Sequence, residues 1–149
     1  MTVSYDVFVG AFLSKITEYE FMQLEEETQT EIVLGYMKRA LTHFNNICEY
    51  DFISTADDTT QTFNVDVKEG DIDELAEIIS EGMVVQWLKP YYYKQELLEN
   101  AMSTKDFSTY SPAELCRRVG SAYMQARKDY THMIREYSFN HGDLTELHI

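Results

Sequence analysis

Two prolines and six glycines are all the strong breakers that 149 residues contain. That scarcity disfavours a sandwich of short strands and favours long helices. Cysteine is as sparse. Cys48 and Cys116 both stand at apolar helical positions, which predicts buried free thiols and a reducing compartment rather than a disulfide. No apolar run approaches the roughly 20 residues that span a bilayer. The amino terminus also lacks the basic region of a signal peptide, so a soluble protein made in a cytoplasm is expected. Basic residues are few as well, 12 Lys and Arg against 26 Asp and Glu, for a net charge of −14 and a pI near 4.5. Affinity for nucleic acid is mostly neutralisation of phosphates by Lys and Arg, so this sign argues against a phosphate binder. It argues equally against docking on an anionic membrane. It favours solubility, and it leaves basic partners or a DNA-repelling surface open.

Catalytic and metal signatures are missing too. None of His43, His132, His141 and His148 stands four residues from another His, and neither His-Glu-x-x-His nor Cys-x-x-Cys occurs. Asp57-Asp58 opens no calcium loop, because no Asp-x-Asp-x-Asp-Gly run with its closing Glu is present. Gly10, Gly35, Gly82 and Gly120 are isolated in helical stretches rather than gathered in a phosphate loop. They read as small residues where two helices approach closely. Nothing places a nucleophile beside a base. No enzymatic activity, no cofactor and no metal is expected.

What is there is apolar, at 44 % with 13 % aromatic, enough for one domain over 1–149 with a real core. The stretch Ser111 to Tyr137 organises the chain. Ser111 is placed to cap the first turn, Pro112 sits where no N–H is missed, and Glu114 can reach back to the cap. Cys116, Val119, Tyr123, Ala126, Tyr130, Met133 and Tyr137 then recur at steps of three or four. This predicts about seven turns, roughly 40 Å of helix.

Upstream, Ser4 caps a first helix over about Tyr5 to Phe21, with Phe8, Val9, Phe12, Leu13, Ile16 and Tyr19 as its stripe. A break near Met22–Leu24 precedes Glu25, Glu26 and Glu27, which suit a new amino terminus. A second helix from about Glu25 to Cys48 turns Ile32, Val33, Tyr36, Met37, Ala40, Leu41, Phe44 and Ile47 inward. The period then disappears from Glu49 to Gly70, an Asp- and Thr-rich loop in which Phe63 to Val67 alternates like a short strand. Asp71 and Glu74 read as a capping pair for a third helix. Its core face is Ile72, Leu75, Ile78, Ile79, Met83, Trp87 and Leu88, and Ala76, Gly82 and Val85 make it the most buried helix. Pro90 is expected to end or kink it. A short helix to about Met102 and a connector anchored by Phe107 and Tyr110 follow. The fold class expected is all-α: a bundle of about four main helices with a long carboxy-terminal helix, an irregular acidic loop with room for a small β-hairpin, and a short tail.

Charge is unevenly laid out. Residues 49 to 74 carry nine acids against the single base Lys68, whereas Arg117, Arg118, Arg127, Lys128 and Arg135 concentrate on the last helix. A solvated surface explains this, or a subunit that pairs an acidic region with its neighbour's basic helix. The tail after Gly142 carries apolar beads, Leu144, Leu147 and Ile149, which suits either a frayed end or an arm that docks on a partner. Trp87 and Tyr91-Tyr92-Tyr93 are either core or an interface hot spot.

The order of elements carries a resemblance. Two amphipathic helices and an acidic segment lead to Glu81-Gly82-Met83-Val84-Val85-Gln86-Trp87-Leu88-Lys89-Pro90. The connector Ser103-Thr104-Lys105-Asp106-Phe107-Ser108-Thr109-Tyr110-Ser111-Pro112 then enters the long helix. Over about residues 5 to 147 this resembles the small neck proteins of tailed bacteriophages, the head–tail connector or adaptor class, closest to those from phages of Gram-positive hosts. The resemblance implies a mostly helical subunit without enzymatic activity or cofactor. It implies assembly in the host cytoplasm into a homo-oligomeric ring, usually a dodecamer, that sits in the virion beneath the portal protein and extends the DNA channel. Its partners would be further copies, the portal, other neck or tail-completion proteins, and double-stranded DNA passing without specific binding. In that setting Leu144, Leu147 and Ile149 are candidates for docking on the portal or a neck partner. Arg117, Arg118, Arg127, Lys128 and Arg135 are candidates for the subunit interface, and Asp57, Asp58, Asp66 and Glu69 for an acidic channel wall that repels phosphates. The alternative is a small acidic inhibitor that mimics DNA and binds a basic host protein.

Overall fold

The computed structural model describes residues 2–16, 29–93 and 112–141. Strand β1 (Val3–Ser4) runs directly into helix α1 (Tyr5–Ile16), followed by α2 (Gln29–Phe44), strands β2 (Ala56–Asp57) and β3 (Thr62–Phe63), α3 (Glu69–Tyr93) and α4 (Pro112–His141). The chain is thus mostly helical, with a three-stranded antiparallel sheet of order β1-β3-β2. All-α holds approximately, and the sheet is its correction. No helix among the described residues is long and apolar enough to cross a membrane. The expected helix end at Phe21, the break near Met22–Leu24, the short helix to Met102 and the tail over 139–149 lie wholly or partly outside the described residues.

Helix α1 starts where its cap predicts. The Asp6 N–H donates to Ser4 Oγ at 3.2 Å, and Asp6 in the first turn complements the dipole. Tyr5, Phe8, Phe12 and Ile16 are buried at helical spacing, with Val9 and Leu13 packed against them. Lys15 in the last turn reaches α3, donating to the Glu77 carbonyl at 3.1 Å and pairing with Glu77 Oε1 at 2.9 Å and Glu81 Oε2 at 2.8 Å. Its side chain is only 19 % exposed and that of Glu81 only 13 %, so the pair is screened less than a surface one. Lys15→Met is expected to lower the unfolding free energy by about 1–3 kcal/mol, because it strands the Glu81 carboxylate half-desolvated. Urea unfolding of the two proteins measures this directly.

Helix α2 stops four residues earlier than its apolar period suggests. The Phe44 carbonyl accepts from both Ile47 N–H at 3.0 Å and Cys48 N–H at 3.1 Å, and that turn leaves Ile47 39 % exposed. Ile32 is exposed as well, because it stands about 100° around the helix from Val33, outside the stripe of Val33, Tyr36, Met37, Ala40, Leu41 and Phe44. Helix α3 packs against α1, α2 and α4 and is the centre of the fold. It begins at Glu69, two residues before the expected cap. The Asp71 carboxylate instead accepts from Tyr50 Oη at 2.7 Å, tying the segment before α3 to its first turn. Pro90 does not end the helix, which continues to Tyr93. A proline near a carboxy terminus removes a single N–H, and its φ is already helical. Trp87 is fully buried edge-on to Phe12, so it serves the core and not an outer hot spot.

Helix α4 opens at Pro112 and extends four residues past Tyr137, 30 residues in all. Val119, Tyr123, Ala126, Tyr130, Ile134 and Tyr137 form its buried stripe, with Ile134 rather than Met133 between Tyr130 and Tyr137. Gly82 sets the crossing of α2, α3 and α4. A Cβ there would lie 2.7 Å from Tyr130 Cε1 and 3.0 Å from Ala40 Cβ, and Tyr130 Oη donates to the Ala40 carbonyl at 3.0 Å over the same spot. Gly10 and Gly35 have open space around them, so they are not close-approach positions.

The segment between α2 and α3 is no irregular loop. Phe52, Phe63 and Val67 are buried. Phe63 packs against Tyr5 with ring centroids 4.6 Å apart, against Phe8 at 5.7 Å and against Phe52 at 5.1 Å. Val3 pairs with Phe63 and Ser4 with Thr62, while Ala56 and Asp57 take the other edge of β3. The hairpin turn closes through Gln61, whose φ is 53°, and the Gln61 carbonyl accepts the Tyr5 N–H at 2.9 Å.

Candidate functional site

Two surfaces of opposite charge were expected to carry function, and the structure sorts the residues of each. On the acidic side, half-buried Asp57 and exposed Asp58 both make hydrogen bonds within the chain. Asp57 Oδ1 accepts from the Thr59 N–H at 3.0 Å and the Thr60 N–H at 3.4 Å, shaping the hairpin turn. Asp58 takes the Lys38 ammonium on Oδ2 at 3.0 Å and the Tyr5 hydroxyl on Oδ1 at 2.8 Å. Lys38, and after it Tyr5, hold its carboxyl below the usual range. Its side chain is still 66 % exposed, so the pair with Lys38 is a surface one. Asp66 and Glu69 are exposed, and Asp73 is exposed beside them. Sequence reasoning named the first two but missed Asp73, although Glu69 and Asp73 are four apart on one helix.

On the basic side the division is similar. Arg117 Nη2 and Arg118 Nε both bond Glu114 Oε1, at 2.8 Å and 3.2 Å, and Arg117, then Arg118, hold that carboxyl below its usual range. Arg127, Lys128 and Arg135 are exposed farther along α4 and make no ion pair among the described residues. Before and beyond them stand Met124, 53 % exposed, and Phe139, 71 % exposed. Neither was singled out from the sequence. The signal available was their spacing on the side of the helix opposite the tyrosine stripe. Leu144, Leu147 and Ile149 lie outside the described residues, as do the side chains of Tyr91, Tyr92 and Tyr93.

Among the described residues no three His, Cys, Asp or Glu side chains are grouped to hold a metal ion. His132 pairs with Glu136 at 3.0 Å when protonated, and His43 lies against the Tyr130 ring. Cys48 is a free, half-buried thiol 3.9 Å from Tyr137 Oη, and burial pushes its pKa up, away from the reactive thiolate. A cavity of about 310 Å³ lies between α2 and the hairpin, floored by Met37, Leu41, Phe52 and Phe63, with the Lys38–Asp58 pair in its lining.

The buried phenols add a pH dependence. Burial first, and then the hydrogen bond to Asp58, push the Tyr5 phenol from its ordinary 10.0 up to about 12. Burial also raises Tyr130 and Tyr137. A raised pKa in the folded state means the neutral form is favoured by folding. The corresponding stability is therefore complete below pH 10 and is lost as pH climbs through 12. Phenolate absorbance should rise late and steeply, together with loss of helical circular dichroism. Tyr5→Phe should advance neither event, because it removes the titrating group while keeping the ring.

Searches for a matching family model, a matching characterised protein and a matching solved structure each returned no match.

Proposed function

We propose that this chain is a structural subunit of a bacteriophage neck, a connector that assembles into a ring between the portal vertex and the tail. The observation that carries the reading is the partition of exposed charge. In a chain of net charge −14, exposed Asp66, Glu69 and Asp73, with the single base Lys68 among them, lie at the start of α3, and exposed Arg127, Lys128 and Arg135 lie on α4. A subunit with complementary patches on separate elements can add copies head to tail and close. The surplus of negative charge then suits a channel through which DNA slides without sticking. Leu144, Leu147 and Ile149 are assigned to docking on the portal or a neck partner. No catalytic step, cofactor or metal is assigned, and the site of action is the virion.

The test is the mass of the purified protein by light scattering, alone and with portal protein, for the full chain and for a chain ending at Gly142. A ring, or a monomer that joins a ring only with portal and an intact tail, is the expected result. A monomer that ignores portal and captures a basic host protein would replace this reading with that of an acidic DNA mimic.

A further inference from the structure

We infer that the outer face of α4 between Met124 and Phe139 is the surface on which the next copy of this chain sits, met by that copy's acidic shoulder of Asp66, Glu69 and Asp73. The inference rests on the ring reading above and supplies the contact that the ring requires.

At about 100° per residue, Met124, Lys128, Arg135 and Phe139 fall within about 60° of arc, on the side of α4 opposite Tyr130. Asp129 and Glu136 stand farther round, on one flank, where they pair with Gln125 and His132. The centre of the outer face is therefore cationic and apolar, roughly 22 Å long. Phosphates would find the cations useful but gain nothing from Met124 and Phe139, and they would meet the flanking carboxylates. A folded acidic protein surface satisfies both kinds of group. Exposed charges fix the register and contribute little each, while an aromatic anchor such as Phe139 supplies burial.

The occupant follows from charge complementarity within the chain itself. Glu69 and Asp73 are one turn apart on α3 and Asp66 lies three residues before that helix begins, all exposed. The outer face of α4 points away from α3, since its opposite stripe is what packs there. One copy cannot close the contact on itself, so each must offer its shoulder to one neighbour and its α4 to the other. Arg117 and Arg118 have little part, because Glu114 already engages both.

A charge swap tests this. Lys128→Glu with Arg135→Glu makes one variant, and Glu69→Lys with Asp73→Lys makes the other. All four positions are exposed, and circular dichroism verifies that both fold. Light scattering, with portal added if the wild type requires it, should show each variant alone needing roughly a hundredfold higher concentration to assemble. An equal mixture should assemble as the wild type does, because every reversed α4 then meets a reversed shoulder. Phe139→Ser should weaken assembly in high salt, where charge is screened. If the wild type forms rings and both variants do so equally well, the contact is elsewhere and the ring reading stands. If the wild type stays monomeric with and without portal, the ring reading falls and takes this contact with it. If Lys128→Glu with Arg135→Glu instead abolishes binding to duplex DNA and leaves assembly unchanged, the face belongs to nucleic acid and the inference is overturned.

Discussion

Gly82→Val is expected to cost about 2–4 kcal/mol of unfolding free energy, a large share of the 5–15 kcal/mol typical of a domain. The Cβ alone would sit 2.7 Å from the Tyr130 ring and 3.0 Å from Ala40 Cβ, and valine adds two methyl groups beyond it. Overpacking of this kind costs about 1–3 kcal/mol. Pushing Tyr130 aside also breaks its hydrogen bond to the Ala40 carbonyl, worth about 1 kcal/mol. Gly82→Ala should cost less, since the gain in helix propensity of about 1 kcal/mol offsets part of the clash. Gly10→Ala is the control. With nothing within 4 Å of its would-be Cβ, it should stabilise by up to about 1 kcal/mol. Urea unfolding of the three variants reads the series. Equal effects at positions 82 and 10 would mean that α2, α3 and α4 do not cross as described.

Much of this arrangement is legible from local spacing. The stripes of α1, α3 and α4 follow the 3.6-residue period, and Pro112 marks the start of α4 because a first-turn proline loses nothing. The pairing of Glu114 with Arg117 and Arg118 is likewise a matter of steps of three and four. Spacing fails where the partner is distant in the chain. Val3 and Ser4 have no strand pattern of their own, and they form β1 only because Phe63 and Thr62, some sixty residues on, present an edge to them. Counting nine acids in 49 to 74 could not say that Asp58 is held by Tyr5 and Lys38, which are 53 and 20 residues away. Periodicity also overran at Ile47, where the Phe44 carbonyl turns the chain out of the helix while the sequence stays apolar. On the surface the limit is different. Apolar residues on an outer helical face, such as Met124 and Phe139, have no buried partner to reveal them, so only the orientation of the tyrosine stripe exposes their alignment with Lys128 and Arg135.

Phe63→Ala should show how firmly the acidic shoulder is attached. Its ring is 1 % exposed and touches Tyr5, Phe8 and Phe52, so truncation should cost about 3–5 kcal/mol through lost burial and a residual cavity. Phe63→Leu keeps most of the volume and should cost well under half of that. The damage should be local before it is global. Backbone amides of Tyr5 and Asn64, which donate to the Gln61 and Thr55 carbonyls, should lose hydrogen-exchange protection first. Those of the α3–α4 crossing should hold until the whole chain unfolds. Asp66 lies three residues past Phe63 and three before Glu69, so the same cluster that replaces the expected irregular loop with a packed sheet also fixes where the shoulder stands. If Phe63→Ala costs less than about 1 kcal/mol, the sheet is not part of the core. A shoulder on so loose a base could not hold a rigid contact with the next copy's α4. A cost near the expected value, with assembly weakened at a temperature where the helices remain folded, would link the aromatic cluster to the ring through the position of those three acids.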